Sequence, residues 1–471
     1  MAKHVEYEKV GSDYLEHRQL KRGAAGWVLL AGLGVSYVIS GDFAGWNFGL
    51  AQGGWGGLLV ATILMGAMYT CMVFGLAELA AALPVAGAGY GFARRALGPL
   101  GGFATGVAIL VEYAIAPAAI VVFIGDYVQA LGLFGLTSSW PVYLVCYAIF
   151  VGVHLYGVGE ALRLMFVITG VAVVALIAFV AGMIPKFDSA KLFDIGDGGF
   201  LPFGVTGALG ALVYAIWFFL AVEGVPLAAE EARDPKKDMP RGIIGALVAL
   251  LVFAALILVF APGGAGSAAL MSSGNPLPEA VRAAYGGDNV LAQVVNYVGL
   301  AGLVASFFSI IFAYSRQLFA LSRAGYLPRW LSRTGKRKTP YLALIVPGTI
   351  GFVLAAILKS GATLINIAVF GAALSYVLMM VSHIVLRVRE PGLARPYRTP
   401  GGVVTTGVAL VLAVAAVVAT FFVDELAAGI TAGIVVVALA YFWFYSRHHL
   451  VAAAPEEEFA AIAQAEEELK D

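Results

Sequence analysis

The sequence predicts an all-α membrane protein with twelve transmembrane helices. Two five-helix halves form an inverted repeat, two further helices follow, and helices 1 and 6 are interrupted. Three observations carry that expectation. Apolar residues make up 61% of the 471 and charged ones only 12%, against about 25% charged in a soluble domain, and mean hydropathy is +0.90. Apolar runs of about 20 residues, the length that crosses a bilayer, recur along the whole chain. The first and sixth runs hold corresponding places in the two halves, and each is broken by Gly or Pro beside an acid, which is the sequence pointer to a midplane site in an inverted-repeat transporter.

The runs lie near 26–50, 55–82, 100–131, 141–157, 164–184, 204–229, 242–261, 290–321, 341–358, 362–386, 403–423 and 427–446. They divide the chain into an N-terminal tail at 1–23, a first half at 24–203, a second half at 204–402, two further helices at 403–446 and a C-terminal tail at 447–471. An even number of crossings puts both termini on one side, and Lys and Arg decide which side that is. With the termini inside, 24 of the 29 basic residues are cytoplasmic. Outside lie only Lys186, Lys191, Arg282 and Lys359, while Arg316 falls within span 8. The chain is therefore expected in the inner membrane with both termini cytoplasmic. The first 20 residues are polar and lack the apolar core of a cleavable signal peptide.

Formal charge is zero, with 29 basic and 29 acidic residues, so nothing points to nucleic acid. Cys71 and Cys146 lie in apolar runs and read as small hydrophobes. Two external connections, 185–203 and 262–289, are long and rich in Gly, Asp and Ser. A passive cover and a gate are equally open readings of both. The tail at 452–471 reads as a short, solvated, acidic amphipathic helix.

Span 1 contains Ser36-Tyr-Val-Ile-Ser-Gly-Asp-Phe-Ala-Gly-Trp-Asn-Phe-Gly-Leu50. An ionisable group at mid-span costs at least about 2.5–3.5 kcal/mol in hydrocarbon, so Asp42 and Asn47 are expected to face protein or water. Gly41 and Gly45 flank Asp42 and let the backbone leave helical geometry, which at membrane depth is tolerated only where it lines a cavity. Span 6 contains Trp217-Phe-Phe-Leu-Ala-Val-Glu-Gly-Val-Pro226. Pro226 removes an intrahelical bond at Val222 and Gly224 costs about 1 kcal/mol in a helix interior, so a second break is expected around Glu223. Span 3 places Glu112-Tyr113 near its middle.

Three acids, Asp42, Glu112 and Glu223, thus stand at similar depth, and no Lys or Arg matches them. Such acids are protonated or neutralised by a bound cation, so the site favours a cationic ligand. Trp46, Tyr113, Trp217 and Phe219 are candidate cation–π walls, and Asn47 with carbonyls near Gly41 and Ala221 is a candidate partner for a hydroxyl. Each residue also has a plainer role open to it. Glu223 could serve a half-helix N-terminus, Asp42 could accept N–H bonds from its own turn, and the aromatics could be packing residues. Glu78 and Asp126 lie near span ends, where solvation or a gate latch fits better than ligand contact. The cluster 230–238 reads as a solvated loop.

Four stretches resemble the amino acid–polyamine–organocation (APC) permeases. They are Ser40-Gly-Asp-Phe-Ala-Gly45; Glu78-Leu-Ala-Ala-Ala-Leu-Pro84 through Gly87-Ala-Gly-Tyr90 to Gly98-Pro99; Trp217 to Glu223 followed by Asp234-Pro-Lys-Lys-Asp-Met-Pro-Arg241; and Ser315-Arg-Gln-Leu-Phe-Ala320 through Arg323-Ala-Gly-Tyr-Leu-Pro328. The resemblance implies the LeuT-like fold, with a small-residue Gly motif at the helix 1 break cradling a substrate carboxylate. Here the corresponding place reads Gly45-Trp46-Asn47, and the bulk of Trp46 argues against an ordinary α-amino acid. Ile39 to Gly49 and Glu112-Tyr113 look most like the ethanolamine permeases. Span 5 lacks the Lys that replaces a coupling cation in some relatives.

The expected function is a secondary transporter carrying a small cationic amine, ethanolamine first, by alternating access. An amino acid or polyamine exchanger of the same fold is the alternative. The partners are the lipid bilayer and the amine, with a coupled proton or sodium ion left open. No cofactor or metal is expected, because His4, His17, His154, His383, His448 and His449 lie in tails or at span ends without metal-ligand spacing. The same absence of a nucleophile–base pair speaks against an enzyme.

Overall fold

The computed structural model describes residues 5–8, 10, 25–84, 87–132, 135–197, 199–287, 289–452, 454 and 457. These residues are helical apart from turns and two isolated bridges, Tyr7 with Leu450 and Ala25 with Ala232. Among them, ten helices are long and apolar enough to cross a membrane, and two shorter apolar stretches, Trp27–Phe43 and Trp140–Tyr156, coincide with spans 1 and 4.

In order, the helices are α1 (Trp27–Val38), α2 (Ser40–Phe43), α3 (Phe48–Ala82), α4 (Gly89–Ala130), α5 (Trp140–Tyr156), α6 (Val158–Met183) and α7 (Gly204–Trp217). A 3-10 segment at Val222–Glu231 comes next. Then follow α8 (Pro235–Ala265), α9 (Ser267–Leu270), α10 (Pro276–Tyr285), α11 (Val290–Arg323), α12 (Tyr341–Leu358), α13 (Gly361–Arg389), α14 (Val403–Val423) and α15 (Glu425–Phe444). Two of the long helices are bent at glycines. Gly54 (φ 64°) turns the end of span 1 into span 2 within α3, and Gly98 (φ 81°) separates a short helix from span 3 within α4.

The interior is built by α4 packing along α13 and α11, α3 along α7 and α8, and α1 along α8 and the 3-10 segment. Buried side chains concentrate on these helices, whereas α14 and α15 expose apolar side chains such as Val411, Phe422, Val437 and Phe444. Such residues suit hydrocarbon.

The connections predicted as long loops at 185–203 and 262–289 carry 3-10 turns, α9 and α10, and they are stitched to each other. Lys191 Nζ donates to the Gly264 carbonyl at 2.7 Å, Ser267 Oγ to the Leu192 carbonyl at 2.8 Å, and the Ala268 N–H to Asp194 Oδ1 at 2.9 Å.

At the tail end of the bundle lie two buried ion-pair clusters. Glu78 is 1% exposed; it pairs with Arg387, with Arg395 at 3.0 Å and with His383 at 3.3 Å, and accepts the Thr399 N–H at 2.7 Å. The solvated reading of Glu78 is thereby corrected, because a span-end acid is held by a basic segment folding back from α13. Glu457 is equally buried. Arg94 Nη2 donates to it at 2.6 Å, and Tyr326 and Tyr7 add hydroxyl bonds at 3.1 and 3.3 Å. Burial, then the Glu457 charge, raises both phenol pKa values above the ordinary tyrosine range, so both remain donors. The expectation of a solvated tail therefore fails at Glu457; the rest of that expectation, save residues 452 and 454, lies outside the described residues.

Candidate functional site

Helix 1 breaks later than expected. Ser40–Phe43 still forms a helical turn, and the backbone becomes extended at Ala44 (φ −160°, ψ 158°) and left-handed at Gly45 (φ 97°) before α3 starts. Gly41 does not unwind the chain. Its missing Cβ allows close approach, since a side-chain carbon there would stand 2.3 Å from the Trp217 carbonyl oxygen. Helix 6 breaks earlier than expected, at Phe218–Ala221, where Ala221 adopts φ 79°. A left-handed alanine costs about 1–3 kcal/mol, a strain borne here by the packing of the two breaks against each other. Glu223, Gly224 and Pro226 fall inside the 3-10 segment, and Glu223 occupies its first turn.

The two breaks form one joint. The Trp217 indole N–H donates to the Ala44 carbonyl at 2.9 Å, satisfying a group freed by the unwinding. Trp46 stacks on Phe218 with ring centroids 5.7 Å apart. Asn47 is buried and its amide is engaged on both ends. Nδ2 donates to the Leu270 and Ser273 carbonyls at 2.7 and 2.9 Å, while Oδ1 accepts the Gly45 N–H at 3.1 Å. It ties the helix 1 break to the connection at 262–289 rather than offering its donors to a solute. The Ala221 carbonyl likewise accepts the Gly224 N–H at 3.0 Å.

Beside this joint lies a carboxyl cluster. Tyr113 on α4 and Tyr376 on α13 each donate to Glu223, both at 3.0 Å and one to each oxygen. The Tyr69 and Tyr376 hydroxyls are 2.8 Å apart. Tyr376 spends its only proton on Glu223, so Tyr69 donates to Tyr376. The Glu112 carboxyl adjoins Glu223 and Tyr376, yet neither of its oxygens accepts a hydrogen bond among the described residues. Both acids are shut from solvent, Glu112 at 0% and Glu223 at 4% exposure. Gly371 permits the arrangement, because a Cβ there would meet the Ala108 carbonyl at 2.7 Å and the Glu112 nitrogen at 2.9 Å. Phe219 edges the cluster against Tyr69, with centroids 5.3 Å apart.

Of the residues singled out in the sequence, the structure thus gathers Glu112, Tyr113, Glu223 and Phe219 at one centre and Gly41, Gly45, Trp46, Trp217 and Ala221 at the adjoining breaks. Asp42 stands apart. It is fully buried, and among the described residues its oxygens accept no bond and no charged group pairs with it. Asp126 packs against Gly274 of the connection at 262–289. Tyr69 and Tyr376 were missed, since a tyrosine within an apolar run is indistinguishable by pattern from a packing residue.

A helical bundle with two facing backbone breaks and a carboxyl pair sealed beside them is the architecture of a multi-pass membrane transporter. The chain belongs to the amino acid permease family, which its residues 28–451 match, within the APC superfamily. It is 30% identical over 404 residues to an uncharacterized transporter of Rhizobium meliloti, covering 83% of this chain and 84% of that protein. It is 28% identical over 378 residues to the branched-chain amino acid permease BcaP of Bacillus subtilis, covering 75% of this chain and 78% of that protein. The methylthioribose transporter of the same organism is 26% identical over 385 residues, or 77% and 79% of the two chains.

Proposed function

We propose that this chain carries a small organic amine across the inner membrane by alternating access, with the ammonium group received between Glu112 and Glu223. The observation that carries the reading is the carboxyl pair itself, buried at the helix 6 break with hydroxyl donors and no Lys, Arg or His partner among the described residues. Two carboxylates in contact cannot both stay ionised without a cation. Trp46, Trp217 and Phe219 enclose the uncharged part of the solute. The two halves at 24–203 and 204–402 move against each other about the paired breaks, and both termini are cytoplasmic, a reading supported by the distribution of Lys and Arg.

Within that class, an amino acid is the solute that the relatives' names support, BcaP being named for branched-chain amino acids. The methylthioribose relative is why likeness alone does not choose the solute. A second reading, ethanolamine, is favoured by Trp46, whose ring stacks on Phe218 inside the unwound stretch where a substrate carboxylate would have to lie. Uptake of labelled ethanolamine and labelled leucine into proteoliposomes separates them. Ethanolamine uptake above empty vesicles with no leucine uptake supports the second reading, the reverse result supports the first, and carriage of neither overturns the proposal.

A further inference from the structure

The geometry points to the Glu112–Glu223 pair as the coupling site as well as the amine site: the two carboxyls share one proton, and the arriving ammonium group takes its place. This rests on the amine reading above and adds the identity and direction of the coupled ion. Glu223 has a hydroxyl donor on each oxygen, so its charge is well supported. Neither oxygen of Glu112 accepts such a bond among the described residues, although Glu112 is fully buried beside that charge and the Tyr376 hydroxyl adjoins it. The group that closes this arrangement is a donor set between the two carboxyls. A single proton provides it when no solute is bound, and a primary ammonium provides it when one is.

Among the described residues, the neighbours bring no positive charge to balance the pair. Tyr113 on α4, Tyr69 on α3, Tyr376 on α13 and Tyr37 on α1, which adjoins Tyr113, are the titratable groups turned toward it, and all four are phenols. No Lys, Arg or His on these helices or on the 3-10 segment pairs with either acid among the described residues.

The exchange balances: one ammonium enters, one proton leaves to water on the side from which the amine came, and the pair together with its guest, proton or ammonium, keeps one net negative charge throughout. When the site turns without amine, the proton rides back. Transport is then an electroneutral exchange of one amine for one proton, and proton and amine compete for binding.

The experiment adds ethanolamine, and separately leucine, to the purified full-length chain in weakly buffered detergent with a pH-sensitive dye, and measures affinity by calorimetry across pH. Release of about one proton per bound amine is expected, with Kd rising up to about tenfold per unit of acidification, as reciprocal linkage requires. In Glu112→Gln, proton release should be lost and the affinity should become nearly independent of pH. Should that variant not fold, the wild-type dye measurement decides alone. Amine binding with no proton release and a flat pH profile overturns the inference while leaving the amine reading intact, as does binding that requires sodium. Binding of neither solute at any pH overturns the amine reading and the coupling together.

Discussion

The acids at the tail end of this bundle and those at its centre are equally buried, and they differ in what answers them. Glu78 meets two guanidiniums, an imidazole and a backbone N–H. Glu457 meets Arg94 through two guanidinium nitrogens. Among the described residues, Glu112 and Glu223 meet tyrosine hydroxyls and each other. A buried charge is costly unless paired, so the first group is internally complete and serves structure. The second has no such partner among the described residues, and under the proposed reading a cation from outside completes it; that contrast is what the following variants test.

The sharpest way to break that contrast is to remove one acid from each group. Glu78→Ala leaves Arg395, 8% exposed at its side chain, without its carboxylate, and stranding one partner of a buried pair costs about 3–5 kcal/mol. The variant should unfold far earlier than wild type in a thermal melt, with transport lost in proportion to folded protein. Glu112→Gln removes a carboxyl that no side-chain cation balances among the described residues. It should melt no earlier than wild type while amine affinity falls at least about tenfold, or about 1.4 kcal/mol. Comparing Glu78→Gln by calorimetry completes the test: equal losses of affinity at 78 and 112 in folded protein would erase the distinction.

A smaller change sharpens it further. Tyr376→Phe deletes one of the two hydroxyls on Glu223 and frees Tyr69 from its acceptor. A hydrogen bond to a charged group contributes about 1.5–3 kcal/mol. Affinity should therefore fall by roughly tenfold or more, and the melting temperature should drop by a few degrees because two buried hydrogen bonds are lost. Tyr113→Phe should act alike through the other oxygen, and a loss confined to one of the two would mean that the oxygens are not equivalent for the solute.

The sequence made the breaks legible because Gly41, Gly45, Gly224 and Pro226 stand close to mid-span acids, and it made the acids legible because a mid-span carboxyl is expensive. Depth along a helix, however, is one coordinate of three. It could pair Glu112 with Glu223, but it could not separate Asp42, which is buried outside that cluster, nor place the turn at Ala44 rather than at Gly41, where the glycine serves close contact with Trp217. Tyr69, Tyr376, the fold-back of Arg395 onto Glu78 and the burial of Glu457 against Arg94 are all long-range meetings, and a single sequence carries no periodic signal for them.

Asn47 supplies the mildest test, at the border between scaffold and site. Its amide spans from the Gly45 N–H to two carbonyls of the external connection, so it belongs with the internally satisfied groups although it sits inside the helix 1 break. Asn47→Ala strands one donor and two acceptors, and each net hydrogen bond contributes about 0.5–1.5 kcal/mol. The expected result is a drop of a few degrees in melting temperature and faster amide hydrogen exchange over 267–275, with amine affinity in the folded protein close to wild type. A loss of affinity as large as that of Glu112→Gln, without a change in exchange, would move Asn47 from the scaffold to the solute. The line drawn between acids answered from within and acids awaiting a cation would then have to be redrawn to include a neutral amide.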